Sequence, residues 1–206
     1  MKNSLLRVGT IACLMLFSSC KWLLMKSYGI KQPKYESVKS IVKKSRYYGF
    51  DTSMVLVMNP YAVGSFFSRG IPEGEVFDRS GRYIEYKMTD TSCNAGLFGF
   101  LHQLKTDTLF RIFPERTLSK EIKRFRRMDK APLSESYFKP ADFYVFLTWA
   151  KWIGKLNKDH VKEWEKLIQK NSNAKIQLVL VNLDFMKDWT REEKDYVEKT
   201  LTKKNK

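Results

Sequence analysis

Cysteine is nearly absent: the 206 residues hold only Cys13, Cys20 and Cys93, with no CxxC pair among them. Neither a disulfide framework nor a thiolate-built zinc centre can be made from that set. Histidine is scarcer still, with His102 and His160 each isolated in the sequence. No conventional metal centre is expected, and no cofactor. Acids are outnumbered, 22 against 38 lysines and arginines, for a formal charge of +16. Such a chain attracts anionic partners of any kind. Its basic residues are nevertheless scattered over many segments, without a nucleic-acid-binding motif, so the surplus reads as a solvated surface with no specific nucleic-acid partner. Long apolar runs are missing as well: Val8–Phe17 covers about ten residues, where a membrane-spanning helix needs about 20.

Hydrophobic residues make up 43% and aromatics 14%, enough apolar surface to offset the entropy of ordering. The length suits one domain plus extras. At the N-terminus Lys2 and Arg7 precede the apolar run, and small Ser18 and Ser19 follow it. Residues 1–19 thus read as an export signal. Leu16-Phe-Ser-Ser-Cys20 resembles the lipobox of bacterial lipoproteins, with Phe17 where that family usually has leucine. The resemblance implies cleavage before Cys20, diacylation of its sulfur, and a place on a membrane of the bacterial cell envelope, at the outer membrane or the periplasmic face. Two or three acyl chains, at about 0.8 kcal/mol per buried methylene, anchor stably where one is marginal. Residues 20–34 are then the lipidated N-terminus and a tether, with Trp22 and its flanking lysines suited to the headgroup boundary.

Along the mature chain, Tyr35–Tyr48 has Val38, Ile41 and Val42 at helical spacing and should be an amphipathic helix ending near Gly49. Met54–Met58 is a short apolar run stopped by Asn59-Pro60 and reads as a buried strand. Glu75–Lys87 carries the turn signal Asp78-Arg-Ser-Gly81 between two strand-like arms, the clearest hairpin signal in the sequence. Ile71-Pro72 lies just upstream. Thr117–Met128 places Leu118, Ile122 and Phe125 on one stripe and predicts a second helix, and Ala131–Pro140 predicts a connecting loop. The strongest pattern follows: an apolar run Phe143–Trp149, a turn, a helix over about 155–170, and a second run Ile176–Asp184, a βαβ unit with parallel strands. Thr190–Leu201 predicts a closing helix in which Thr190 and Glu193 make a capping box.

Trp149-Ala-Lys-Trp-Ile-Gly-Lys-Leu156 at the end of the first run resembles the turn of the thioredoxin-like family, especially the envelope-anchored thiol oxidoreductases, which read F-W-A-x-W-C-x-x-C. What the resemblance implies is an α/β fold, a thioredoxin-like three-layer sandwich with a mixed sheet, over residues 35–206 as a single domain. In that family a strand pair introduced by a cis-proline facing the active site follows the second core strand. Only one helix-length segment remains after Asp184, so Ile71-Pro72 and the Glu75–Lys87 hairpin would supply the pair from upstream, in a circularly rearranged order. Family catalysis needs a thiolate at the helix N-terminus and a second thiol one turn on. Ile153 and Leu156 stand in those places and neither side chain ionises, so dithiol exchange at this turn is excluded. Trp149, Trp152 and Ile153 then read foremost as packing residues.

Two functional expectations follow. The first, more in keeping with a non-enzyme, is an envelope-anchored module that binds a peptide or envelope protein through Trp149, Lys151, Trp152, Ile153, Lys155, Leu156 and Pro72, with Lys158 nearby. The alternative is a thiol-dependent redox protein using Cys93, whose flank Thr89-Asp-Thr-Ser-Cys-Asn94 caps a helix in that reading. A third surface, Lys120–Lys130 with Arg124, Arg126 and Arg127, is a candidate for weak contact with anionic lipid or glycan, although helical geometry spreads its arginines over more than one face.

Overall fold

The computed structural model describes residue 23, residues 25–87, residue 94 and residues 96–204. The expected signal peptide over residues 1–19, Cys20, Trp22, and Thr89–Cys93 with its expected helix cap lie outside the described residues.

Strand β1 (Tyr35–Glu36) leads into helix α1 (Val38–Tyr48). The Ser37 hydroxyl accepts from the Ser40 amide at 3.2 Å to start it, and Gly49 at φ 67 ends it in the left-handed conformation that glycine adopts without cost. Strand β2 (Val55–Met58) ends where Asn59 caps a short 3-10 turn, Pro60–Ala62, which runs into helix α2 (Val63–Phe66). The predicted hairpin forms from β3 (Gly74–Asp78) and β4 (Arg82–Ile84) around Gly81, whose amide donates to the Asp78 carbonyl at 2.8 Å. Helix α3 (Gly96–His102) and strand β5 (Ile112–Thr117) follow.

The predicted helix over Thr117–Met128 does not form as one piece. Helix α4 (Leu118–Glu121) and a 3-10 turn give way to strand β6 (Phe125–Arg127), which pairs antiparallel with β2. That edge pairing satisfies backbone groups of β2 and outweighs a modest helical stripe. Strands β7 (Phe143–Trp149) and β8 (Ile176–Asn182) flank a wide π-type turn, Asn157–Lys162, and helix α5 (Glu163–Lys170). A short strand β9 (Phe185–Met186) pairs with β1, and helix α6 (Arg191–Lys204) closes the chain. Its capping box is formed: the Thr190 amide donates to Glu193 at 2.9 Å, and the Glu193 amide to the Thr190 hydroxyl at 3.2 Å.

Seven strands make one mixed sheet in the order β5-β4-β3-β7-β8-β2-β6. Neighbours β7, β8 and β2 run parallel, whereas β3 lies antiparallel to β7, with Gly74 opposite Leu147 and Asp78 opposite Phe143. The upstream hairpin thus joins the central strand. Every residue of β7 is buried, which is how a central strand covered on both faces reads. Helix α3 packs on α5, and α2 on α6, completing a three-layer α/β architecture. Phe77, Phe146 and Phe125 continue one another through the core, ring to ring at 5.7 and 5.3 Å.

Candidate functional site

The turn that follows β7 is held from below by polar side chains. Asn157, fully buried, donates through Nδ2 to the carbonyls of Ala150 (2.8 Å) and Gly154 (3.2 Å), and the Tyr48 hydroxyl donates to Gly154 at 3.4 Å. Asp184 accepts through Oδ2 from the Lys151 amide at 2.9 Å and from Asn182 at 2.8 Å. Burial pushes the Asp184 carboxyl up to about 6, further than those two hydrogen bonds hold it down.

From the other side the turn is covered by the chain's own N-terminal segment. The Lys31 amide donates to the Trp152 carbonyl at 2.8 Å, and the Lys155 amide to the Tyr28 carbonyl at 2.7 Å. Residues 28–31, expected as part of a free tether, are therefore bonded along the turn. Gly154 makes this approach feasible: it sits at φ 60, and a Cβ there would lie 2.1 Å from the Tyr28 carbonyl oxygen.

These contacts sort the residues predicted from sequence. Trp149 is fully buried, edge-on to Tyr48 and Phe50, and Ile153 is 1% exposed. As core residues they leave no surface for a partner, which corrects their place among the binding residues. Trp152 is half-buried, stacked on Phe67 at 5.6 Å. Lys151 is engaged by Glu36 and Ser40, both at 2.5 Å from Nζ. Lys155 is exposed.

Leu156 and Pro72 come together: both line an open cavity of about 900 Å³, with Asn94 and His160. The Ile71–Pro72 bond is cis, and Asn94, the residue after Cys93, donates to the Pro72 carbonyl at 2.7 Å. The rest of the lining includes aromatic and charged side chains, Tyr83, Phe113, Arg69, Glu73, Glu85, Lys87 and Arg116. Behind it, one oxygen of the buried Glu75 accepts from Arg69 and Arg116, each at 2.6 Å, and from Arg124 at 3.0 Å. Glu121 also holds Arg116 and Arg124, and Lys87 meets Glu73 at 2.8 Å. Burial pushes the Glu75 carboxyl up, but Arg124, Arg116 and Arg69 together outweigh it and leave the group below its ordinary range. Glu73 goes the other way, raised by burial and then by the charge of Glu75.

This network is not among the sequence expectations, although it has a signal: Glu75 lies on β3 and Glu73 just ahead of it, two residues apart beside the apolar pair Val76-Phe77, and acids buried there need cationic partners. Each arginine of the Lys120–Lys130 segment is also engaged by an acid. Arg124 faces Glu75 and Glu121, Arg126 pairs with Glu193 at 2.6 Å, and Arg127 pairs with Asp129. No family model, curated protein or solved structure matches the chain.

Proposed function

We propose that this is a membrane-anchored bacterial envelope lipoprotein whose thioredoxin-like domain is redox-inactive and binds an extended peptide segment of another envelope protein. The observation that carries the reading is the meeting of Pro72 and Leu156 at one cavity, while the other cysteine-equivalent position, Ile153, is closed into the core. In this reading the turn keeps the shape of a thiol-exchange site without its sulfur. The strand order and the antiparallel β3 support the thioredoxin-like arrangement. Phe113, 42% exposed, and the charged side chains of the lining offer apolar and polar contacts to a peptide.

The test places a photoreactive amino acid at Leu156 in the full chain, in membranes, with Lys139 as a distant control position. Adducts specific to Leu156 and reduced by Phe113→Ala support the reading; equal adducts from both positions end it. Asn94 at the cavity is the one observation that favours thiol chemistry by Cys93. Disulfide-reductase turnover present in the wild-type chain and lost in Cys93→Ser would replace the binding reading with that one.

A further inference from the structure

We propose that the face formed by the N-terminal segment, the turn after β7 and the exposed side of α1 docks on an anionic lipid bilayer. The inference rests on the lipid anchor at Cys20 for its geometry and on charge for its chemistry. Residues 25–34, 38–48 and 151–162 hold eleven lysines and arginines and a single acid, Asp159. Contacts bring these segments together: Tyr28 and Lys31 bond to the turn, the Tyr48 hydroxyl reaches Gly154, and Lys158 lies 5.3 Å from the Tyr47 ring. Among the described residues no ion pair engages Lys31, Lys44, Lys155 or Lys158. The unpaired charge invoked is that of Lys31, Lys44, Lys155 and Lys158, since Glu36 and Glu165 hold Lys151 and Lys162.

The apolar component matches the charge. Tyr47 is 65% exposed with Lys44 at 3.9 Å over its ring, and Leu23 is 62% exposed. An amphipathic ring beside lysines is the composition of a headgroup boundary. Reach limits the distance: the eight residues from Cys20 to Tyr28 span at most about 30 Å, so an acylated Cys20 holds this face within that distance of the bilayer, and charge selects it as the face that docks. The opposite end of the sheet, where Phe143 meets Ile176, points elsewhere. Each lysine near an anionic surface strengthens binding roughly fivefold. A soluble acidic polysaccharide offers the same charge without the apolar boundary that Tyr47 and Leu23 fit.

The experiment uses the full chain purified from membranes and mixed, at low salt, with vesicles of pure phosphatidylcholine or of phosphatidylcholine with phosphatidylglycerol. An amine-acylating reagent is applied and labelling is read lysine by lysine. Labelling of Lys31, Lys44, Lys155 and Lys158 is expected to fall roughly fivefold or more in the anionic vesicles and to recover at about 0.5 M salt, while Lys139 and Lys175 at the far end stay unchanged. Equal labelling in both vesicles, or loss at Lys139 and Lys175 to the same degree, overturns the proposal. So does protection by a soluble acidic polysaccharide without protection by vesicles. Intact mass reports the acyl groups separately: acylated chain with flat labelling keeps the anchor and removes the docking face, whereas unacylated chain with the contrast intact does the reverse.

Discussion

Gly49 and Gly154 have similar left-handed φ values, 67 and 60, in different surroundings. A Cβ at Gly49 would meet only the flexible end of Lys162 at 3.8 Å, whereas at Gly154 it would strike the backbone of Tyr28 and Gly29. Gly49→Ala should cost about 1–2 kcal/mol, the strain of an alanine in that region. Gly154, with ψ −126 against 29 at Gly49, lies outside the left-handed helical region, so Gly154→Ala carries a larger backbone strain as well as displacement of the N-terminal segment, and urea unfolding should show a clearly larger loss. Equal losses would mean that residues 28–29 do not rest on the turn. Asp184 gives a second residue-scale prediction. Its folded value of about 6 stands above the ordinary 3.8, so between those values the folded state binds the extra proton, and stability rises as pH falls from 6 towards 4. Above pH 6 the buried carboxylate costs about 2–3 kcal/mol. Asp184→Asn should therefore be the more stable chain at pH 8, with the difference shrinking to nothing near pH 4. Urea midpoints for both chains across that range check it, and a pH-independent difference would refute the assignment.

At the scale of elements, Glu75 joins three pieces of chain that sequence distance separates: the loop of Arg69 before β3, Arg116 on β5, and Arg124 in the turn ahead of β6. Removing one partner of a buried ionic cluster leaves uncompensated charge, at a cost of about 3–5 kcal/mol. Glu75→Gln should show a loss of that size by chemical denaturation, while Glu163→Gln, which breaks a half-exposed pair with Lys166, should stay within about 1 kcal/mol. The same cluster explains which elements could be read from sequence. The β7-turn-helix-β8 unit, the Gly81 hairpin and the Thr190 capping box each announce themselves within a few residues, through apolar runs and local hydrogen bonds. Strands β5 and β6 do not, because Pro114 interrupts one, and the other is three residues long and exists through its pairing with β2. The site divides likewise. The family resemblance puts Pro72 and Leu156 in one candidate binding set, but the Glu75 partners Arg116 and Arg124 lie 41 and 49 residues away, a distance no local pattern spans.

For the whole molecule, charge and the proposed lipid anchor make separable claims on a membrane. A net charge of +16 attracts any anionic surface, but that attraction fades with a screening length of about 3 Å at 1 M salt. Acyl chains are indifferent to salt, since their hold comes from methylenes leaving water at about 0.8 kcal/mol each. No helix among the described residues is long and apolar enough to cross a membrane. The wild-type chain should accordingly stay with the membrane fraction through a wash at about 1 M salt and enter the detergent phase on phase separation. Cys20→Ser should stay at low salt, through its lysines, and leave at high salt. Wild-type chain released by the same wash would show that electrostatics alone had held it, and the lipoprotein reading of Leu16-Phe-Ser-Ser-Cys20 would be lost with it.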